Sequence, residues 1–278
     1  DILKSAITQY NGGSIMTTRD KILAGFTIIF VIAAIVILSV YCWPEDTKET
    51  TEWDNATQAG STIASSTDSP SSPPTPVPLP DGFSDVLNFV PDAGIALSYY
   101  SEDNFTGRKI KGYEANRAIL TTEACEALKE AADKLREQGY RIYIFDAYRP
   151  VDAVQDFVAW GQDEDDTLRK EDFYPTLTKK ELFNMYISSD SKHSRGSTID
   201  LTLMKLDGSE VLMGCHFDYF NELAHTFTDL IDEGTRENRM ILRRAMEAAG
   251  FEGSSTEWWH FHLIDEPYPD KAFNFYVK

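Results

Sequence analysis

The sequence predicts an α+β domain behind one membrane-spanning helix and a stalk, and three observations carry that expectation. Residues 81–278 alternate helical and strand patterns in irregular order, without the regular βαβ succession of a doubly wound parallel sheet. The strand-like runs are short, alternating and rich in aromatic and β-branched residues. Ahead of them, a charge-free apolar run gives way to a segment with almost no apolar bulk.

In chain order, the first element is that apolar run. Residues 22–43, ILAGFTIIFVIAAIVILSVYCW, carry no charged side chain and as a helix would extend ~33 Å, enough to cross a bilayer. The run is apolar all round, unlike a core helix with one polar face. It is also too long for the hydrophobic part of a cleaved signal peptide and has no small-x-small site before Trp43. Lys4, Arg19 and Lys21 precede it, whereas Glu45, Asp46, Glu49, Glu52 and Asp54 crowd its far side against Lys48. The positive-inside rule therefore makes residues 1–21 a short cytoplasmic N-terminus and puts the bulk of the chain outside. A start at Met16, ahead of TTRDK, would keep Arg19 and Lys21. Residues 44–80 read as a linker: positions 55–80 hold ten Ser or Thr and six Pro. So little apolar area cannot offset the entropy of ordering, and a disordered, extended stalk is expected.

Within 81–278, residues 122–138 place Ala124, Leu128, Ala131 and Leu135 at helical spacing, open on a Thr cap and stop before Gly139. YRIYIFDAY, 140–148, alternates as a strand, and Arg149-Pro150 starts a helix through Trp160, proline being suited to a first turn. Thr178-Lys-Lys-Glu181 is a capping box that opens a short helix to about Ile187. Residues 197–203 read as a strand, 235–249 as a second long helix ended by Gly250, and 256–264, aromatic and alternating, as a closing strand.

Composition narrows the function classes. Forty-five Asp and Glu against 26 Lys and Arg give a net charge of −19, which repels a phosphate backbone and excludes nucleic acid as a partner. Three scattered cysteines, Cys42, Cys125 and Cys215, are too few for a disulfide framework or a structural zinc cluster. The chemistry lies instead between residues 188 and 262, which hold all five histidines.

Three patterns matter there and just upstream. In SKHSRGSTIDL, a loop histidine, His193, precedes a strand carboxylate, Asp200, across Gly196, whose freedom permits the turn that lets both reach one ion. A hydrogen-bonded histidine beside a strand aspartate is the commoner meaning of such a pair. In Glu257-Trp-Trp-His260, a carboxylate and an imidazole at a strand or its twisted end can border one cavity, a metal ligand beside a proton acceptor; an aromatic edge strand is the plain alternative. In FDAYRP, 145–150, Arg149 stands at a strand exit, either as a fixed cation for chemistry or as a capping residue.

In this order and spacing, Tyr-Arg-Pro, Ser-x-His-x(6)-Asp and Glu-x-Trp-His resemble the zinc D-alanyl-D-alanine dipeptidases of the VanX type, relatives of the D,D-carboxypeptidase metallopeptidases. YYSEDNFTG at 99–107, GYEANR at 112–117 and MGCHFD at 213–218 extend the resemblance over nearly all of 81–278, but not over the first 80 residues. It implies one domain with a central antiparallel sheet flanked by helices and cradling one Zn2+. It implies His193, Asp200 and His260 as the zinc ligands with a fourth position left to water, Glu257 as general base, and Arg149 as the group that stabilises the oxyanion. Around the substrate it implies Asp218 against the ammonium of a small dipeptide, Ser191 against its carboxylate, and Tyr99 beside them.

The implied reaction is zinc-dependent hydrolysis of D-alanyl-D-alanine or a similar D-amino-acid dipeptide. Here it would occur outside the membrane, in turnover of peptidoglycan fragments or in glycopeptide resistance, with no protein partner required. A D,D-carboxypeptidase or endopeptidase acting on cell-wall stem peptides is the alternative; a zinc-dependent binding module without catalysis is a third reading, which the presence of Glu257 and Arg149 opposes. Cys215 and His216 depart from the small or apolar residues more usual after Met-Gly, and an altered dipeptide pocket is expected from them. As neighbours on an extended segment they point opposite ways, so both cannot join one ion. His262, two residues from His260, and His225, in an apolar stretch, are expected to be structural.

Overall fold

A computed structural model describes residues 78–278. The expected membrane-spanning run at 22–43 and most of the linker lie outside the described residues; among those described, no helix is long and apolar enough to cross a membrane.

β1 (Phe83–Asp85), β2 (Gly94–Ile95) and β3 (Ile119–Thr121) come first, β1 and β3 pairing antiparallel as a separate two-stranded ribbon. Thr121 then caps α1 (Thr122–Glu137) by accepting from the Ala124 amide. The helix buries Ala124, Cys125, Leu128, Ala131, Ala132 and Leu135 on one stripe, the face its spacing predicts. β4 (Tyr140–Asp146) follows, burying Ile142, Ile144 and Asp146 by simple alternation. α2 (Val151–Gln162) starts directly after Pro150. Beyond it come the single-turn α3 (Lys170–Phe173) and α4 (Lys179–Met185), the latter with both hydrogen bonds of the Thr178/Glu181 capping box. β5 (Thr198–Lys205), α5 (Glu233–Glu247), β6 (Phe251–Gly253) and β7 (His260–Leu263) complete the chain.

Five strands form the main sheet in the order β2-β4-β5-β7-β6. The expected antiparallel sheet is corrected in one respect: β2 runs parallel to β4, while every other pair is antiparallel. β2 and β4 are separated by β3 and α1, a crossover long enough to bring a parallel strand alongside. Helices α1 and α5 pack on each other, α1 also on β4 and α5 on β5 and β6. An aromatic core of Tyr99, Phe105, Phe157, Trp160 and Phe220 meets in edge-on and tilted pairs.

A second correction concerns the closing strand. Only His260–Leu263 pairs as β7; the residues before it form a turn in which the His260 amide donates to the Glu257 carbonyl (3.2 Å) and the Trp258 amide to the Ala224 carbonyl (3.1 Å). Those backbone groups are satisfied away from the sheet, so aromatic alternation alone did not make a strand of 256–259. Cys125 and Cys215 are both free, and burial pushes the Cys125 thiol up to about 12.

Candidate active site

Strand register assembles the centre. Asp146 on β4 sits opposite Asp200 on β5, and Asp200 sits opposite His260 on β7, so one transverse row crosses three strands. A register shift in β4 between Ile144 and Asp146 ends the regular ladder there. His193 enters from the short 3₁₀ turn Lys192–Arg195, which Gly196 closes at φ +86° before β5 begins. The Gly196 carbonyl accepts from the Thr121 amide (2.7 Å), tying this turn to the start of α1.

The three donors converge. His260 Nδ1 lies 2.9 Å from Asp200 Oδ1, and His193 Nε2 lies 3.3 Å from Asp200 Oδ2 and 3.4 Å from His260 Nδ1. His193 Nδ1 is 2.7 Å from the Ala147 carbonyl, a contact that requires the proton on Nδ1 and leaves the Nε2 lone pair facing the other two ligand atoms. Lone pairs so close repel unless a cation or proton lies among them. Among the described residues this is the group of three His, Cys, Asp or Glu side chains whose ligand atoms all fall within 4.8 Å, and two imidazoles with one carboxylate form an open zinc set. Burial raises the Asp200 carboxyl, but His193 and His260 hold it well below the usual carboxylate range, as a ligand requires.

A cavity of about 280 Å³ opens over these atoms, lined also by Tyr99, Arg149, Ser191, Asp218 and Glu257. The structure thus brings every sequence-predicted site residue to one cavity. Glu257 reaches it from the turn before β7, and burial raises its carboxyl to about 7, against the pull of His260. Arg149 donates through Nε (2.9 Å) to Asp146 Oδ2 and forms an ion pair with it through Nη2 (2.8 Å), with Nη2 also 3.7 Å from Asp200 Oδ2. Its guanidinium stacks over the Tyr99 and Phe157 rings at 5.0 and 5.2 Å. Burial alone would lower its pKa, but Asp146 raises it well above the ordinary value, so the charge is permanent.

Asp218 is buried at φ 59°, a left-handed conformation rare for a residue with a side chain and one that folds retain at functional positions. Its Oδ2 accepts from the Tyr99 hydroxyl (2.8 Å). Burial first, and then Asp200, push its carboxyl well above the usual range, so the site gains by meeting a cation there. Ser191 stands at the start of the His193 turn.

Two expectations about the remaining polar residues need correction or confirmation. Cys215 and His216 do not shape this cavity; they line a separate one with Met213, Phe217 and Trp258. His216 faces the carbonyls of Phe217 and Asp172, and Arg239 Nη2 approaches Cys215 Sγ at 3.8 Å. His225 contacts the Tyr186 hydroxyl (3.2 Å), and His262 sits between Lys192 Nζ (3.1 Å) and Glu252 Oε2 (3.2 Å), so neither joins the metal group. Sequence reasoning missed Asp146, Tyr113 and Tyr186. The FDAYRP motif did contain Asp146, and its three-residue spacing to Arg149 was the available signal.

A family model described as D-ala-D-ala dipeptidase matches residues 80–278. The chain belongs to this peptidase family. Within the D-ala-D-ala dipeptidase family it is 46% identical over 182 residues to the D-alanyl-D-alanine dipeptidase of Enterococcus faecalis, covering 65% of this chain and 90% of that one. It is 38% identical over 179 residues to the enzyme of the same name from Streptomyces coelicolor (64% and 89% covered) and 32% identical over 179 residues to that of Escherichia coli (64% and 83%). A looser likeness, at 15% identity and a TM-score of 0.34 over 55% of this chain and 76% of the other, is to a mutant of the vancomycin resistance D,D-pentapeptidase VanY solved in complex with Zn(II). The protein is a hydrolase, a metallo-dipeptidase by family with zinc as its cofactor, and its His-Asp-His group could hold a metal ion.

Proposed function

We propose that this protein hydrolyses free D-alanyl-D-alanine, or a closely similar D-amino-acid dipeptide, outside the cell membrane. The observation that carries the reading is a single small cavity with a convergent metal-ligand set at one wall, Glu257 and Arg149 beside it, and a buried carboxylate, Asp218, in the lining. At about 280 Å³ it lies just below the usual range of small-molecule pockets, roughly 300–1,000 Å³, which suits a dipeptide rather than a wall strand.

His193, Asp200 and His260 would hold the zinc. Zinc, when bound, polarises a carbonyl oxygen and makes water acidic enough to attack near neutral pH. Glu257 takes the proton from the attacking water and returns it to the leaving amine, a shuttle to which a carboxyl raised to about 7 is matched. Arg149 keeps Nη1 free of any hydrogen bond among the described residues and offers it to the oxygen on which negative charge develops. Asp218, held by Tyr99, meets the substrate ammonium, and Ser191 donates to its carboxylate.

The extracellular location rests on the charge asymmetry around residues 22–43. Outside, peptides released from the wall are the available pool, so turnover of wall fragments or glycopeptide resistance is the setting proposed. A panel of D-Ala-D-Ala, N-acetyl-D-Ala-D-Ala and intact muropeptide, run with metal analysis, tests the reading. Zinc near one per chain and turnover confined to the free dipeptide is the expected result. Release of terminal D-Ala from muropeptide at equal or greater rate would replace the dipeptidase with a D,D-carboxypeptidase.

A further inference from the structure

We infer that Asp146 is a positioning residue for the reaction: it aims Arg149 into the cavity and fixes the charge balance beside the metal ligands. The inference rests on the role given above to Arg149.

Asp146 is fully buried at the end of β4. Its Oδ2 accepts from Nε of Arg149 and pairs with Nη2 at 2.8 Å, while its Oδ1 accepts from the Tyr113 hydroxyl at 2.6 Å. Burial pushes the Asp146 carboxyl upward, while the Arg149 charge and the Tyr113 hydroxyl pull against that shift. Two of the three nitrogens of the guanidinium are thereby committed, and the direction of Nη1 follows from the planar fork. The same carboxylate lies 3.5 Å from His193 Nδ1, on the side of the ring opposite the metal face.

The register explains why this arrangement is needed. Asp146 and Asp200 face each other on adjacent antiparallel strands, a like-charge pair that is destabilising when left alone. Arg149 Nη2 reaches both carboxylates, 2.8 Å from one and 3.7 Å from the other. Arg149 therefore neutralises the pair, and the pair leaves it one orientation. Tyr113 completes the hub and is pinned in turn by pairing of its backbone with Val277 near the C-terminus.

The test is a double-mutant cycle on the zinc-loaded full chain, using Asp146→Asn, Arg149→Ala and the pair, with zinc content, melting temperature, kcat and KM measured for each. Asp146→Asn is expected to keep its zinc and its KM within about twofold and to lose kcat roughly 10- to 100-fold, the scale of a misplaced catalytic group. In the Arg149→Ala background the same change is expected to alter kcat by no more than about twofold, because the residue acts through Arg149. A loss that adds in full to that of Arg149→Ala, or one that appears as departed zinc or a raised KM alone, overturns the inference while leaving the role of Arg149 intact. Wild-type turnover by Arg149→Ala itself takes down both. If Asp146→Asn does not fold, Tyr113→Phe decides. A kcat loss of about threefold that vanishes in the Arg149→Ala background supports the inference, and an unchanged kcat or an additive loss overturns it.

Discussion

Glu257 and Asp218 are both carboxylates that burial drives upward, but they face different partners and so do different work. Glu257, raised to about 7, is the proposed proton acceptor. Glu257→Ala is therefore expected to keep stoichiometric zinc and to lose kcat roughly 10²–10⁴-fold; near-normal turnover would place the base elsewhere. The sign of its pH dependence follows from the same shift. A base with a raised pKa is protonated, and idle, below that pKa, so kcat/KM should fall as pH drops through it. The bound dication lowers the value from about 7, which puts this acid limb below neutrality in the zinc-loaded enzyme. A profile that instead rises toward acid pH would sink the assignment. On the proposed reading, Asp218 discriminates between substrates. N-acetylation removes the cation it meets, at a cost on the order of 2–5 kcal/mol for a buried pair, so free D-Ala-D-Ala should outpace the capped peptide at least tenfold. Asp218→Asn should narrow that gap, because it leaves no buried charge unpaired with either substrate. An unchanged ratio would remove Asp218 from the recognition of the ammonium.

The turn that carries His193 into β5 depends on Gly196 as an element depends on its hinge. At φ +86°, a side chain there costs about 1–2 kcal/mol by conformation alone, and its Cβ would clash with the Phe83 ring, inside the aromatic packing. Gly196→Ala should therefore lower the melting temperature and weaken zinc binding together. Gly139→Ala is the control: φ is +88°, but no atom lies within 4 Å of the added Cβ. It should cost stability alone, and equal zinc affinity in the two variants would show that the turn does not hold His193. How far the elements were legible follows from the same physics. α1, α2, α4, β5 and α5 could be read because caps, proline, glycine and apolar spacing act within a few residues of each other. The convergence of His193 and Asp200 could be read because both lie on one continuous turn and strand. The parallel β2, two residues long, carries no periodicity to read. The turn at 256–259 reads as a strand and differs from one in where its amides bond: Thr256 to the Ser254 hydroxyl and Trp258 to the Ala224 carbonyl. Asp146 acquires its meaning only when β4 and β5 align, and that register is a tertiary fact.

At the scale of the whole molecule, the question is how a small-molecule hydrolase is presented to its substrate. Both ends of the described body are tied down. The Phe83 amide donates to the Pro80 carbonyl, the Glu114 and Ala115 amides to the Val277 carbonyl, and the Val277 amide to the Gly112 carbonyl. Tyr148 is bonded through its hydroxyl to both the amide and the carbonyl of Phe275. Cleavage by a protease requires extended backbone free of such bonds, so residues 78–278 should resist attack as a unit. The sequence between the apolar run and this body is of the opposite kind, poor in apolar bulk and dense in Ser, Thr and Pro over positions 55–80. Protease added to intact cells should thus cut within residues 44–77 and release a fragment that keeps its zinc and its dipeptidase activity. Residues 78–278 carry 37 Asp and Glu against 22 Lys and Arg, a net charge of −15 that helps such a fragment stay in solution and away from anionic surfaces. The positive-inside orientation and the proposed external substrate pool stand or fall on the same assay. A fragment that appears only after lysis would place the body on the cytoplasmic side and replace released wall peptides with the cell's own free dipeptide as the substrate pool.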